Sequence, residues 1–216
     1  MMYCRFVMFC FCLAGMLLPV ASQDGYRQVS GAEAEEMRRN ITAASAGMKT
    51  LRCDFVQTKT LSLLSEDLIS TGFMTYRQPD MLHWEYVTPY HYVFALNGEK
   101  VIIESGENRS EIDVASGKLF REISAVIVSG INGRDIFNPA RFGSQLMTGK
   151  DGCLVMLTPV QKEIRRIFDG ILLYFNTRDY TVDRVEIRET GGDKTTIVMK
   201  NKKINTTAGN EMPDMD

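Results

Sequence analysis

Apolar positions recur with two different periods along this chain. Ala34, Met37, Ile41, Ala44 and Met48 return at helical spacing and predict one amphipathic helix from about Gly31 to Gly47. Ser30-Gly-Ala-Glu33 at its start has the form of a capping box. The period then drops to two, as Leu51, Cys53 and Phe55 alternate with Arg52 and Asp54. "ISTGFMTYRQ", "MLHWEYV", "HYVFALN" and "KVIIES" follow, separated by a polar turn, Pro79, Pro89 and Asn97-Gly98, and "RSEIDV" is a further candidate. Short strands with close turn signals predict a meander of antiparallel hairpins.

From Gly117 to Ile131 the spacing is helical again, with Phe120, Ile123, Val126, Ile127 and Ile131 on one face. "SGINGRD" ends that segment. Strands resume with "SQLMTG", "CLVMLTP", "RRIFDGILLYFN", "VDRVEIRE" and "TTIVMKNKKI", and Asp151-Gly152, Asn176 to Asp179 and Gly191-Gly192 supply the turns. The expected class is mainly β with two helices. A sheet of about ten strands curls, and two apolar helices are enough to cover what it encloses.

The first residues are of another kind. Phe6 to Leu18 is apolar, Arg5 is the only early charge, and Val20-Ala21-Ser22 offers small residues for cleavage. Residues 1–22 read as a cleaved signal peptide and 23–216 as a single domain. The 25 Lys and Arg against 27 Asp and Glu leave no basic stripe, which argues against a nucleic-acid partner. Of five Cys, only Cys53 and Cys153 lie beyond the signal. Both sit in apolar strand patterns, and an oxidising compartment allows either a disulfide or two buried thiols.

Catalytic chemistry is thinly represented. His83 and His91 are the only imidazoles, and no metal spacing, phosphate loop or nucleophile elbow accompanies them. No metal and no cofactor is expected. The surplus is of adaptable apolar side chains: 13 Met, with Met74, Met81, Met147, Met156 and Met199 on or beside strands. Met fills gaps in cores and also suits promiscuous apolar surfaces.

The stretches "FVQTKT", "GFMTYRQPDMLHWEYVTP", "ALNGEKVII", "LVMLTP" and "RIFDGILLYFNTRDYTVDRVEIRETGGDKTTIVMKN" carry a more specific signal. Their order and spacing resemble the LolA family of lipoprotein carriers over about Glu33 to Ile204. The resemblance implies a strongly curved, incomplete antiparallel β-barrel of about 10–11 strands with an α-helical lid over a hydrophobic cavity. It implies no bond chemistry. The implied role is shielding the acyl chains of lipoproteins across the periplasm of a Gram-negative bacterium. The implied donor is an inner-membrane ABC transporter and the implied recipient an outer-membrane acceptor, with the carrier a monomer.

Strand alternation puts Met74, Tyr76 and Gln78 on one face, and Leu82, Trp84 and Tyr86 on another. With Phe55, these aromatic and aliphatic residues are expected either to line the cavity or to pack beneath the lid. Ile123, Val126, Ile127 and Ile131 would form the lid's inner face. Gln78 stands where the family's usual lid-latching Arg precedes the proline, so any latch here lacks that charge. Two other readings stay open: a carrier or sensor for another acylated molecule, such as a glycolipid, and a periplasmic hydrolase built on His83 or His91.

Overall fold

A computed structural model describes residues 25–113, 128–129 and 131–206. The chain opens with β1 (Tyr26–Gln28) and helix α1 (Gly31–Gly47). A run of strands follows: β2 (Thr50–Thr60), β3 (Leu68–Arg77), β4 (Met81–Thr88), β5 (Tyr92–Asn97), β6 (Lys100–Ser105) and β7 (Asn108–Asp113). The second run is β8 (Phe142–Gly149), β9 (Gly152–Pro159), the one-turn helix α2 (Lys162–Arg165), β10 (Phe168–Phe175), β11 (Val182–Glu189) and β12 (Lys194–Ile204).

All twelve strands join one antiparallel sheet in the order β1-β8-β9-β10-β11-β12-β2-β3-β4-β5-β6-β7. Each run is a plain meander. The seam between them is β12 against β2, where Met199 pairs with Phe55 and Ile197 with Gln57. Among the described residues the sheet does not close, and β1 and β7 are its two edges. On β7 the exposed side is charged: Arg109 pairs with Glu104 at 2.7 Å, and Lys100 with Glu111 at 3.0 Å. Charge on an edge strand discourages pairing with another chain. Register shifts at Thr71/Gly72, Phe168/Gly170, Tyr174/Phe175 and Lys200/Lys203 bend the sheet as bulges do.

Helix α1 has the expected bounds, but its start is held differently. Ser30 is the N-cap and its side chain makes no capping bond. Glu33 instead takes both guanidinium nitrogens of Arg27, at 2.7 and 3.0 Å. A charged bidentate partner outcompetes a lone backbone N–H. The strand β1 escapes sequence reading because three residues with one apolar side chain show no period. Arg165 and Arg166, expected in a strand, belong to α2 and its C-cap. Of the second expected helix, Val128, Ser129 and Ile131 are helical, as is Asn132 just beyond it, while Phe120, Ile123, Val126 and Ile127 lie outside the described residues.

The concave face is filled at one end. Met37 and Ile41 of α1, with Met48, belong to the same buried cluster as Leu51, Tyr76 and Leu82. Gly72 is indispensable to this packing. The ring of Phe55 crosses β3 where a side chain at position 72 would stand, so an added Cβ would lie 2.8 Å from Phe55 Cζ and collide with the Glu85 carbonyl. Cys53 and Cys153 are buried free thiols. Burial pushes the Cys53 thiol up to about 12 and raises that of Cys153, so neither is a ready nucleophile.

Candidate functional site

At the other end the concavity is open. A cavity of about 330 Å³ lies between the two strand runs, at the lower end of the range of about 300–1,000 Å³ typical of ligand pockets. One wall comes from β4 and β5, through Trp84, Tyr86, Tyr92 and Phe94. The facing wall comes from β10, β11 and β12, through Phe168, Ile171, Val185, Ile187, Ile197 and Met199. Ile131, from the segment between β7 and β8, lines it as well. None of the described lining residues is charged. The polar ones are Gln57 and Thr195, besides the tyrosine hydroxyls and the indole N–H.

That polarity is partly consumed inside the wall. Tyr86 donates its hydroxyl to Gln57 Oε1 at 2.9 Å. Burial raises the Tyr86 pKa, so the phenol stays neutral. The indole N–H of Trp84 lies near enough to the Tyr86 oxygen to favour its ionised form, yet outside hydrogen-bonding geometry. The rings form a cluster, with Phe55 4.7 Å from Trp84 and 5.1 Å from Tyr86, and Tyr86 5.8 Å from Tyr92. Such a surface offers dispersion contact and little hydrogen bonding, which suits an alkyl chain better than a sugar or a nucleobase.

The residues singled out from sequence fall at different depths. Trp84 and Tyr86 are on the cavity wall, as is Ile131. Phe55, Met74, Tyr76 and Leu82 share the concave face but lie in its packed end, each no more than 1 % exposed. Along β4 the same face runs from buried Leu82 through Trp84 to half-buried Tyr86. Met199 reaches the cavity, whereas Met147 and Met156 pack with Tyr26, Leu154 and Leu172 in a separate cluster. Sequence reading passed over the β10–β12 wall because its alternation is that of any half-buried sheet.

Gln78 is tied to the α1–β2 corner. Its side-chain amide donates to the Met48 carbonyl at 2.5 Å and its backbone N–H to Lys49 O at 2.8 Å. The link to the segment carrying Ile131 comes from its neighbour on the same face. Asn132 Nδ2 donates to the Tyr76 hydroxyl at 2.8 Å, and that hydroxyl donates to Pro79 O at 3.0 Å. Asn132 Oδ1 accepts from Arg134 N at 2.7 Å, so Asn132 is braced on both sides.

The histidines lie away from the cavity. His83 Nε2 is 3.0 Å from Glu85 Oε2, and His91 Nε2 is 3.1 Å from Glu85 Oε1. His83 and Glu85 alternate with Trp84 and Tyr86, so they occupy the opposite face of β4. Burial pushes the Glu85 carboxyl up, but the bonds from the two imidazoles outweigh it and hold it below its ordinary value. Among the described residues no group of His, Cys, Asp and Glu could hold a metal ion. No helix among them is long and apolar enough to cross a membrane.

A family model described as outer membrane lipoprotein carrier protein LolA matches residues 46–212. Among curated proteins there is no significant match. Among solved structures, a LolA superfamily protein from Nitrosomonas europaea is 8% identical, with 82% of this chain and 94% of that one covered and a TM-score of 0.41. The lipoprotein LppX from Mycobacterium tuberculosis is 12% identical, with 87% and 100% covered and a TM-score of 0.42. A chain of the Pseudomonas aeruginosa MucA/MucB complex is 10% identical, with 86% and 60% covered and a TM-score of 0.46.

Proposed function

Because the chain belongs to the LolA family of outer membrane lipoprotein carrier proteins, we propose that it is a non-enzymatic periplasmic carrier that shields the acyl chains of lipoproteins between the inner and outer membranes. The observation that carries this reading is the uncharged cavity between β4–β5 and β10–β12. Each methylene exposed to water costs about 0.8 kcal/mol, so an unescorted acylated protein leaves a membrane very slowly. A wall of aromatic and branched side chains replaces that water. With no charge and few free donors, it holds a chain by contact area alone and can release it again.

The cavity in this state is small for cargo with several acyl chains. Loading would widen it by moving the segment that bears Ile131 and is fastened by the Tyr76–Asn132 bond. The donor would be an inner-membrane lipoprotein-releasing transporter and the recipient an outer-membrane acceptor, with the carrier a monomer. In this reading Trp84, Tyr86 and Ile131 contact cargo directly. Phe55, Met74, Tyr76 and Leu82 support that wall from behind.

Two measurements test the proposal. Protein recovered from the periplasm should carry acylated polypeptides identifiable by mass spectrometry, and a fluorescent fatty acid should bind the emptied protein. Ile187→Asp, which places a charge in the wall, should weaken that probe at least tenfold while the protein still unfolds cooperatively. Failure of the probe to bind the wild type would sink the carrier reading. Recovery of a glycolipid without any lipoprotein would replace it with the alternative cargo.

A further inference from the structure

Among the described residues the large exposed apolar side chains are not scattered. Leu63, Leu64, Leu68 and Ile69 lie in or beside the β2–β3 connection, Val87 and Tyr90 at the β4–β5 turn, and Val160 just after β9. Leu63 is 95% exposed and Tyr90 81%. The pairing register puts all three connections at one rim of the sheet. Lys59 pairs with Leu68, Thr71 with Thr88, Tyr86 with Tyr92, and Phe142 with Pro159, each at that end of its strands. The same rim is the mouth of the cavity, since Tyr92 and Phe168 begin β5 and β10 there, while Ile187 and Thr195 stand near the ends of β11 and β12.

From this arrangement we infer that the rim docks on a lipid bilayer, with Leu63 and Leu64 inserted and the cavity mouth turned to the membrane. Three features choose a bilayer over a protein surface. The apolar side chains project from three separate connections spaced around one rim, as points of insertion do. They flank an apolar cavity, so a chain passing between cavity and bilayer would avoid water along its path. Beyond Val160, the exposed Lys162, Arg165 and Arg166 outnumber the exposed acids Glu163 and Asp169, and their cations suit headgroup phosphates. Glu66 and Asp67 separate Leu63 and Leu64 from Leu68 and Ile69, so only the tip of the β2–β3 connection enters the bilayer. The docking itself stands on the rim; only its purpose, transfer of an acyl chain, rests on the carrier reading.

The test is flotation of the full chain with vesicles of phosphatidylethanolamine and phosphatidylglycerol. The wild type should float with them, and Leu63→Asp/Leu64→Asp should lower the bound fraction at least tenfold. Neither leucine lines the cavity, so that variant should bind a fluorescent fatty acid within twofold of wild type in solution, which also shows that it is folded. Val185→Asp, deeper in the cavity wall and away from the rim, should do the reverse, floating normally while losing the probe. Tyr90→Asp, on a different connection, should weaken flotation severalfold by itself. A wild type that stays in the bottom fraction overturns the inference, and so does a leucine double variant that floats unchanged. A dimer in sedimentation that the double variant dissolves, without vesicle binding, would overturn it in favour of a second copy of this chain.

Discussion

Tyr76→Phe removes one oxygen from a side chain that is fully buried. That oxygen accepts from Asn132 Nδ2 at 2.8 Å and donates to Pro79 O at 3.0 Å. Losing the bond to Pro79 costs about 1 kcal/mol net, and leaving the Asn132 amide donor buried without a partner costs about 1–3 kcal/mol. Asn132 is 3% exposed, so water cannot readily replace the hydroxyl. The ring itself is conserved, and no cavity of note is created. A loss of about 2–4 kcal/mol follows, which shifts the urea midpoint by roughly 1–2 M at an m-value near 2–3 kcal/mol per M. Asn132→Ala and the double variant complete a cycle whose coupling should be about 1 kcal/mol. Because Ile131 is the neighbour of Asn132 and lines the cavity, Tyr76→Phe should also speed entry of a fluorescent fatty acid. A midpoint shift below about 0.2 M, or a coupling indistinguishable from zero, would refute the idea that this hydroxyl fastens the segment.

Gly72→Ala should destabilise the protein by at least about 3 kcal/mol, the upper range for overpacking, because the new methyl meets both the Glu85 carbonyl and the Phe55 ring; thermal or urea unfolding would show it, and a loss under 1 kcal/mol would contradict the packing described. Glu85 should contribute to acid sensitivity. Its folded pKa lies below its ordinary 4.5, so its contribution is present above that value and is lost as pH falls through the lowered one. Glu85→Gln should therefore flatten the stability–pH slope below about pH 4.5, and an unchanged slope in that window would show that the imidazole contacts have no energetic effect.

Local pattern was enough for much of the fold. Helical spacing of Met37, Ile41 and Met48 set α1, and alternation with turn residues set β2 to β6 and β8 to β12 close to their observed ends. These signals are legible because each element must hide one face, and period alone says which residues share it. The ordered stretches from "FVQTKT" onward also suffice for the family. What period cannot give is depth. Leu82, Trp84 and Tyr86 alternate identically, yet successive same-face positions are about 6–7 Å apart along a strand, and that distance separates packed core from cavity wall. Whether Tyr76 fills a core, lines a cavity or holds Asn132 is likewise invisible in its strand.

The facing wall was less legible still. Val185, Ile187 and Ile197 look like the inner side of any hairpin until β12 pairs with β2 and turns them toward Trp84 and Tyr86. The gathering of Leu63, Tyr90 and Val160 at one mouth follows from the same register. The sequence alone therefore determined which faces are apolar, because that is a local consequence of strand and helix geometry. The tertiary structure decided which of those faces meet, and where the space between them stays empty, because both depend on pairing between segments far apart in the chain.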